Sequence, residues 1–141
     1  MQLGSLIIDI AGNELTNEDI DLLKHPYIGG IILFSRNFVS VDQIKELIRK
    51  IKSLRSPSLI VYVDQEGGSV QRFKEGMTLL PSISLLGEKY IADSDEAFLI
   101  TRELGWLTGF ELTSIGIDVN TSPVLDINFK RSNIMANRCF S

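Results

Sequence analysis

The sequence predicts an α/β protein built on a parallel sheet, on three observations. Short runs rich in β-branched residues recur along the chain, segments with helical periodicity separate them, and the runs are continuously apolar. Alternation of strand and helix favours parallel strands joined by crossovers, and unbroken apolar strands point to a sheet covered on both faces. An open doubly wound sheet fits within 141 residues, whereas a (β/α)8 barrel needs roughly 250, so the pattern alone leaves both open.

The first run is "SLIIDI" (Ser5 to Ile10), followed by "TNEDIDLLKH", which reads as a short helix. "IGGIILF" (Ile28 to Phe34) forms the second run. In "SVDQIKELIRKIKSLRS", Ser40 and Gln43 stand at capping-box spacing, and Ile44, Leu47, Ile48 and Ile51 share one helical face. That segment is predicted as a crossover helix. "SLIVYVD" (Ser58 to Asp64) supplies a third strand. A long helix is expected from about Asp93 to Ser114, with Asp93 and Glu96 at capping spacing and Gly116 as its stop. "IDVNTSPVLDI" contains a fourth strand before Pro123. No repeat or linker divides residues 1–141, which read as one unit without an internal boundary.

Composition narrows the function. Fourteen Lys and Arg against eighteen Asp and Glu give a net charge of -4 without a basic block, so no nucleic-acid partner is expected. The single cysteine, Cys139, excludes an internal disulfide and, without a Cys/His cluster, a structural zinc site. The N-terminus lacks a basic leader and no stretch reaches the roughly 18 apolar residues of a membrane span, so no membrane partner and a cytoplasmic location are expected.

Parallel α/β proteins place ligands at the C-terminal ends of their strands, and Asp64 and Asp126 fall at or just past such ends. The richest stretch is "VDQEGGSVQRF", Val63 to Phe73. Asp64 and Glu66 are two residues apart and would point to the same side if the strand continued. They could divide into acid and base, but glycosidase pairs stand about 5 Å or more apart across a bond and usually come from separate loops. The competing role for Glu66 is to order the loop through backbone hydrogen bonds while Asp64 binds ligand hydroxyls. Gly67 and Gly68 permit either a tight turn or a phosphate nest, although no GxGxxG or GxxxxGK[ST] accompanies them. Arg72 is either a ligand fork or a solvated surface group.

Elsewhere the structural reading is favoured. His25, the only histidine, reads as a helix C-terminal residue interacting with the last carbonyls. Glu111 shares a stripe with Ile100, Leu104 and Leu107 and is expected to have a structural partner such as a backbone donor. Trp106 and Phe110 are assigned to helix packing, with an exposed aromatic sugar platform as the less favoured alternative on a crossover helix, Gly29 and Gly30 to packing or turn formation, and Cys139 to an inert thiol.

"VDQEGGSVQRF" closely resembles the "DQEGGxVxR" signature of the β-N-acetylhexosaminidases of glycoside hydrolase family three. "GGIILFSRN" resembles the family's second-strand segment, "SPVLDIN" its "APVLD" strand, and "NRCF" its "ERSF" loop, in the family's order. The resemblance implies a (β/α)8 TIM-type barrel of which this chain supplies roughly the first half. It also implies retaining removal of terminal N-acetylglucosamine from peptidoglycan fragments during cell-wall recycling, with no cofactor and no metal. Asp64, Arg72 and Arg138 match the family's sugar-binding positions. In the family, the histidine acid/base and the aspartate nucleophile belong to "KHFPGHG"-like and "SDD"-like segments, and neither segment occurs here. No catalytic residue is therefore assigned within this chain, which is expected to lack activity alone. Asn137 and Cys139 stand where the family has Glu and Ser. Two alternatives to an inert fragment are a non-catalytic sugar-binding homologue and a phosphate-binding domain using the Gly67-Gly68 turn. An incomplete barrel, with open edges and apolar helix faces, is also expected to self-associate.

Overall fold

The computed structural model describes residues 3–129 and 131–140. Four strands, β1 (Leu6–Ile8), β2 (Ile28–Leu33), β3 (Ile60–Val63) and the last strand of the chain (Val119–Asn120), form one sheet in sequential order. All are parallel, with Leu6 opposite Ile28, Gly30 opposite Ile60, and Tyr62 opposite Val119. The predicted parallel α/β pattern is therefore the observed one.

The first two predicted helices form, each with a side-chain cap at its start. Helix α1 (Asn17–Leu23) starts at Thr16, whose hydroxyl accepts from the Asp19 backbone while Asp19 returns the bond. Helix α2 (Val41–Ser53) starts at Ser40, which accepts from Gln43 N–H, and buries Ile44, Leu47, Ile48 and Ile51 as the periodicity predicts.

The chain leaves β3 differently from the sequence reading. It turns into a two-stranded antiparallel hairpin, β4 (Gln65–Gly67) and β5 (Val70–Gln71), and then into an unpredicted helix, α3 (Ile83–Ala92). The long helix α4 (Ser94–Ile115) follows, capped by Asp93 through its bond from Glu96 N–H and ended by Gly116 in the left-handed conformation. The last sheet strand, β6 (Val119–Asn120), precedes an irregular segment and a short 3-10 turn, Ala136–Arg138.

The core lies between one face of the sheet and helices α2 and α4. Ile31, Leu33, Val61 and Val63 are buried there with Ile44, Ile48, Leu112 and Ile115. Alternate residues on the opposite face, Ile32, Ile60 and Tyr62, are only half-buried. The expectation of a sheet covered on both faces thus holds for one face. Gly29 and Gly30 are buried within β2, as packing requires.

The flanks of the sheet are open among the described residues. Leu6 and Ile7 on β1 are both 51% exposed, and Phe98, Leu99, Trp106 and Phe110 on α4 are exposed. Trp106 and Phe110 stack on each other with centroids 5.4 Å apart, so they line an open face instead of packing into the core. Glu111 on the same helix accepts from the Thr78 backbone N–H and hydroxyl, the backbone partner its position calls for. The His25 ring does not cap carbonyls; its Nδ1 accepts from Tyr27 N–H. No helix among the described residues is long and apolar enough to cross a membrane.

Replacing Asp93 with Ala removes the α4 cap and is expected to lower stability by about 1 kcal/mol in urea unfolding; an unchanged midpoint would show that the cap contributes nothing.

Candidate functional site

Because the four strands are parallel, their C-terminal ends share one rim. Asp9 follows β1, Phe34 follows β2, Asp64 follows β3 and Thr121 follows β6. The polar groups of the rim converge on the hairpin after β3.

The hairpin is shaped from inside. Gln65 is 2% exposed, and its side-chain oxygen accepts from the backbone N–H groups of Arg72 and Phe73, both at 3.0 Å, while its amide nitrogen donates to Phe73 O at 2.8 Å. Gln71, also buried, accepts from Leu80 N–H and donates to Phe73 O and Thr78 O. Every polar group on these two amides is satisfied, as burial requires. Gly67 and Gly68 adopt φ of 101° and 54°, and a Cβ on Gly67 would lie 2.3 Å from Pro81 O. Gly68 N–H donates to Leu80 O, so the glycine pair forms a tight turn with that donor already used and not a phosphate nest.

This scaffold sets two ion pairs side by side. Arg72 Nη2 donates to Asp64 Oδ2 at 2.8 Å, and the other Asp64 oxygen accepts from the Thr121 hydroxyl. Arg138 Nε and Nη2 donate to Glu66 Oε2 and Oε1 at 2.9 and 2.7 Å, a bidentate bond across 72 residues of sequence. Glu66 therefore does not order its loop through backbone bonds; it holds Arg138. Neither carboxylate is left to divide acid and base work with the other, since each is engaged by its own arginine. The Arg72 guanidinium also lies 5.1 Å from the Phe34 ring centroid, with Arg36 at 4.6 Å. Arg36 pairs with Asp9 on the neighbouring part of the rim.

Burial pushes the Asp64 carboxyl up, but hydrogen bonds from Arg72 and Thr121 and the charges of Arg72 and Arg138 more than offset it and hold the group below its ordinary value. Because the folded value is the lower one, stability from ionised Asp64 is complete above the unfolded-state pKa and is lost as pH falls through the folded one. The bond to Glu66 raises the Arg138 pKa and keeps that guanidinium charged.

The structure thus brings together Asp64, Arg72 and Arg138, the last of them held by Glu66. Asp126 is exposed in the irregular segment beyond β6 and does not join them. Cys139 is buried beside Arg138. Thr121, Gln65 and Phe34 were missed by sequence reasoning; the strand-end rule applied to β6 would have found Thr121. Among the described residues no three His, Cys, Asp or Glu side chains gather as a metal-binding set. A cavity of about 340 Å³ takes in Gln65 and Glu66 but not Asp64, Arg72 or Arg138, and its walls from α3 and α4 are mostly apolar, so it meets the paired groups only at Glu66.

A parallel β/α assembly with its polar groups gathered at the C-terminal rim is the architecture of a barrel-type α/β protein with a polar ligand site. The chain belongs to glycoside hydrolase family 3: the family described as "Glycosyl hydrolase family 3 N terminal domain" matches residues 2–141. A beta-hexosaminidase of Nitrosomonas eutropha is 45% identical over 140 residues, covering 99% of this chain and 40% of the relative. The solved structure of NagZ from Neisseria gonorrhoeae in complex with N-trifluoroacetyl-D-glucosamine is similar with a TM-score of 0.95 at 43% identity, covering 98% of this chain and 41% of that one. A family 3 beta-N-acetylglucosaminidase from a Paenibacillus species is similar at a TM-score of 0.75 and 31% identity, over 86% of this chain and 23% of that one. The chain therefore spans about two fifths of the length of the beta-hexosaminidases it matches, and its four parallel strands, the first three followed by helices, belong to half of a TIM-type barrel.

Substituting Thr121 with Val is expected to move the Asp64 titration upward, followed by the carboxyl carbon shift in NMR; an unmoved titration would mean that the hydroxyl does not contribute to holding Asp64 ionised.

Proposed function

We propose that residues 1–141 are the N-terminal part of a single glycosidase barrel domain. In this reading they supply part of the binding shell for a terminal N-acetylglucosamine, through Asp64, Arg72 and Arg138. The observation that carries the reading is the charge balance of the rim. Two carboxylates face two guanidiniums, so the cluster has no net charge to attract an anion, yet it retains acceptors and donors for hydroxyl groups. That balance supports a neutral polyhydroxylated ligand over the phosphate alternative. The beta-hexosaminidase relatives, and a neighbour solved with a glucosamine derivative, support the same class of sugar.

On this reading the whole enzyme hydrolyses terminal N-acetylglucosamine from peptidoglycan fragments with retention, in the cytoplasm. The "KHFPGHG"-like and "SDD"-like catalytic segments do not occur in residues 1–141, so this chain alone binds sugar without cleaving it. Titration calorimetry with millimolar N-acetylglucosamine is expected to give saturable heat that Asp64→Asn abolishes, while an aryl N-acetyl-β-glucosaminide is not turned over. Turnover that Asp64→Asn removes would refute the division of labour, and absence of heat from a cooperatively folded chain would refute the sugar site.

We also propose that the open sheet edges and the apolar face of α4 make this chain self-associate. The exposure of Leu6, Ile7, Phe98 and Trp106 supports this. Light scattering after size exclusion is expected to give a mass above that of one chain; a strictly monomeric protein at high micromolar concentration would contradict it.

A further inference from the structure

Glycine inside a helix costs stability relative to alanine, so a helical glycine is informative where a side chain would displace something. Helix α4 holds two, Gly105 and Gly109, and a Cβ on either would meet nothing within 4 Å. Gly87, in the interior of α3, is different. A Cβ there would collide with the Phe140 carbonyl oxygen and would lie 2.8 Å from its carbonyl carbon and 3.4 Å from its Cα. All three atoms belong to the backbone, so no change of rotamer relieves the clash.

Phe140 lies two residues beyond Arg138, which closes the short 3-10 turn. Leu125, Ile127, Phe129 and Ile134, in the irregular stretch before that turn, are exposed and give Arg138 little hold. The buried contacts follow it instead. Cys139 is fully buried, and Phe140, with Leu86 and Thr101, lines both the cavity at Glu66 and a second, apolar cavity of about 460 Å³ between α3 and α4. Two residues of chain span at most about 7 Å, so fixing the Phe140 backbone confines that of Arg138. The arginine thus has one fixed point at its head, where Glu66 takes the guanidinium, and another behind its backbone, at Gly87.

We propose that Gly87 is a positioning residue for the binding rim: its bare Cα is the seat of the Phe140 backbone, and that seat holds Arg138 where its guanidinium reaches Glu66. Gly87 has no side chain to offer a ligand and acts only through Arg138. It gives α3, none of whose residues is fully buried, a part in the rim. The consequence for ligand binding rests on the reading of this rim as a sugar site. A consequence independent of any ligand falls on Asp64. Burial raises its carboxyl, while the bonds of Arg72 and Thr121 and the charges of Arg72 and Arg138 hold it below its ordinary value, so it rises when Arg138 leaves.

The test uses the 141-residue chain as wild type, Gly87→Ala, Gly105→Ala, Arg138→Gln, and Gly87→Ala combined with Arg138→Gln. The Asp64 carboxyl titration is followed by NMR and N-acetylglucosamine binding by calorimetry. Gly87→Ala is expected to move the Asp64 titration upward and to weaken sugar binding about tenfold, the loss of a charged hydrogen bond. Gly105→Ala, the same change where a Cβ has room, is expected to match wild type in both. Arg138→Gln is expected to raise the Asp64 titration by itself, and adding Gly87→Ala to it is expected to change nothing further. A wild-type Asp64 titration in folded Gly87→Ala would overturn the proposal, as would a rise of the same size in the Arg138→Gln background. If Gly87→Ala does not fold, Phe140→Ala removes the ring that keeps this backbone in the groove and is expected to raise the Asp64 titration only while Arg138 is present; no rise there would also overturn it. Failure of the sugar reading is distinguishable: an Asp64 shift through Arg138 with no sugar binding by any variant keeps the seat and discards the sugar. Sugar binding that Gly87→Ala leaves unchanged discards the role of Gly87 and keeps the sugar.

Discussion

The buried amide of Gln65 is the constraint on which the rim depends. Its side chain folds the chain back so that Arg72 reaches Asp64, and its backbone is tied to the neighbouring strand end. Gln65 N–H donates to Asn120 Oδ1, and Gln65 O accepts from Asn120 Nδ2 and the Ser122 hydroxyl. One residue thus couples the internal geometry of the hairpin to the end of β6, where Thr121 meets Asp64. A buried amide left without these partners would carry the full cost of desolvation, so the native arrangement is strongly selected over alternatives in which the hairpin swings free.

From that constraint the electrostatics follow. Asp64 and Glu66 leave the hairpin two residues apart, and two carboxylates so close would repel unless each met a cation. One cation comes from the same hairpin and the other from the end of the chain, so the rim is complete only when residues near position 138 dock onto β4. The burial of Cys139 at 1% exposure accords with that docking, because it anchors the residue beside Arg138. The thiol serves packing, and the family's usual Glu and Ser around the arginine are replaced without loss of the pair.

Much of the fold was legible in the sequence because its signals are local. The caps at Ser40 and Asp93, the stripe of α2 and the stop at Gly116 all lie within a few residues of the features they predict. Helix α3 was not legible, because none of its residues is fully buried and its start at Ser82 has no side-chain cap bond. The hairpin was hidden for a similar reason: strands of three and two residues are too short and too polar to show alternation. At the rim, the motif pointed to Asp64 and Arg72 as sugar-binding positions, and their bond to each other is seen only in the fold. The links from Glu66 to Arg138 and from Asp64 to Thr121 span 72 and 57 residues, and only the folded chain reveals them. The reading of Glu66 as a loop-ordering group was wrong in its partner, for that reason.

The central claim is that the charge-balanced rim holds a neutral sugar between Asp64, Arg72 and Arg138. The most direct measurement is a crystal structure of this chain soaked with N-acetylglucosamine. The account predicts sugar hydroxyls within hydrogen-bonding distance of the Asp64 carboxylate and of both guanidiniums, with the Glu66–Arg138 pair intact. Sugar density seated instead on the stacked Trp106 and Phe110 pair, with the rim occupied only by water, would contradict it.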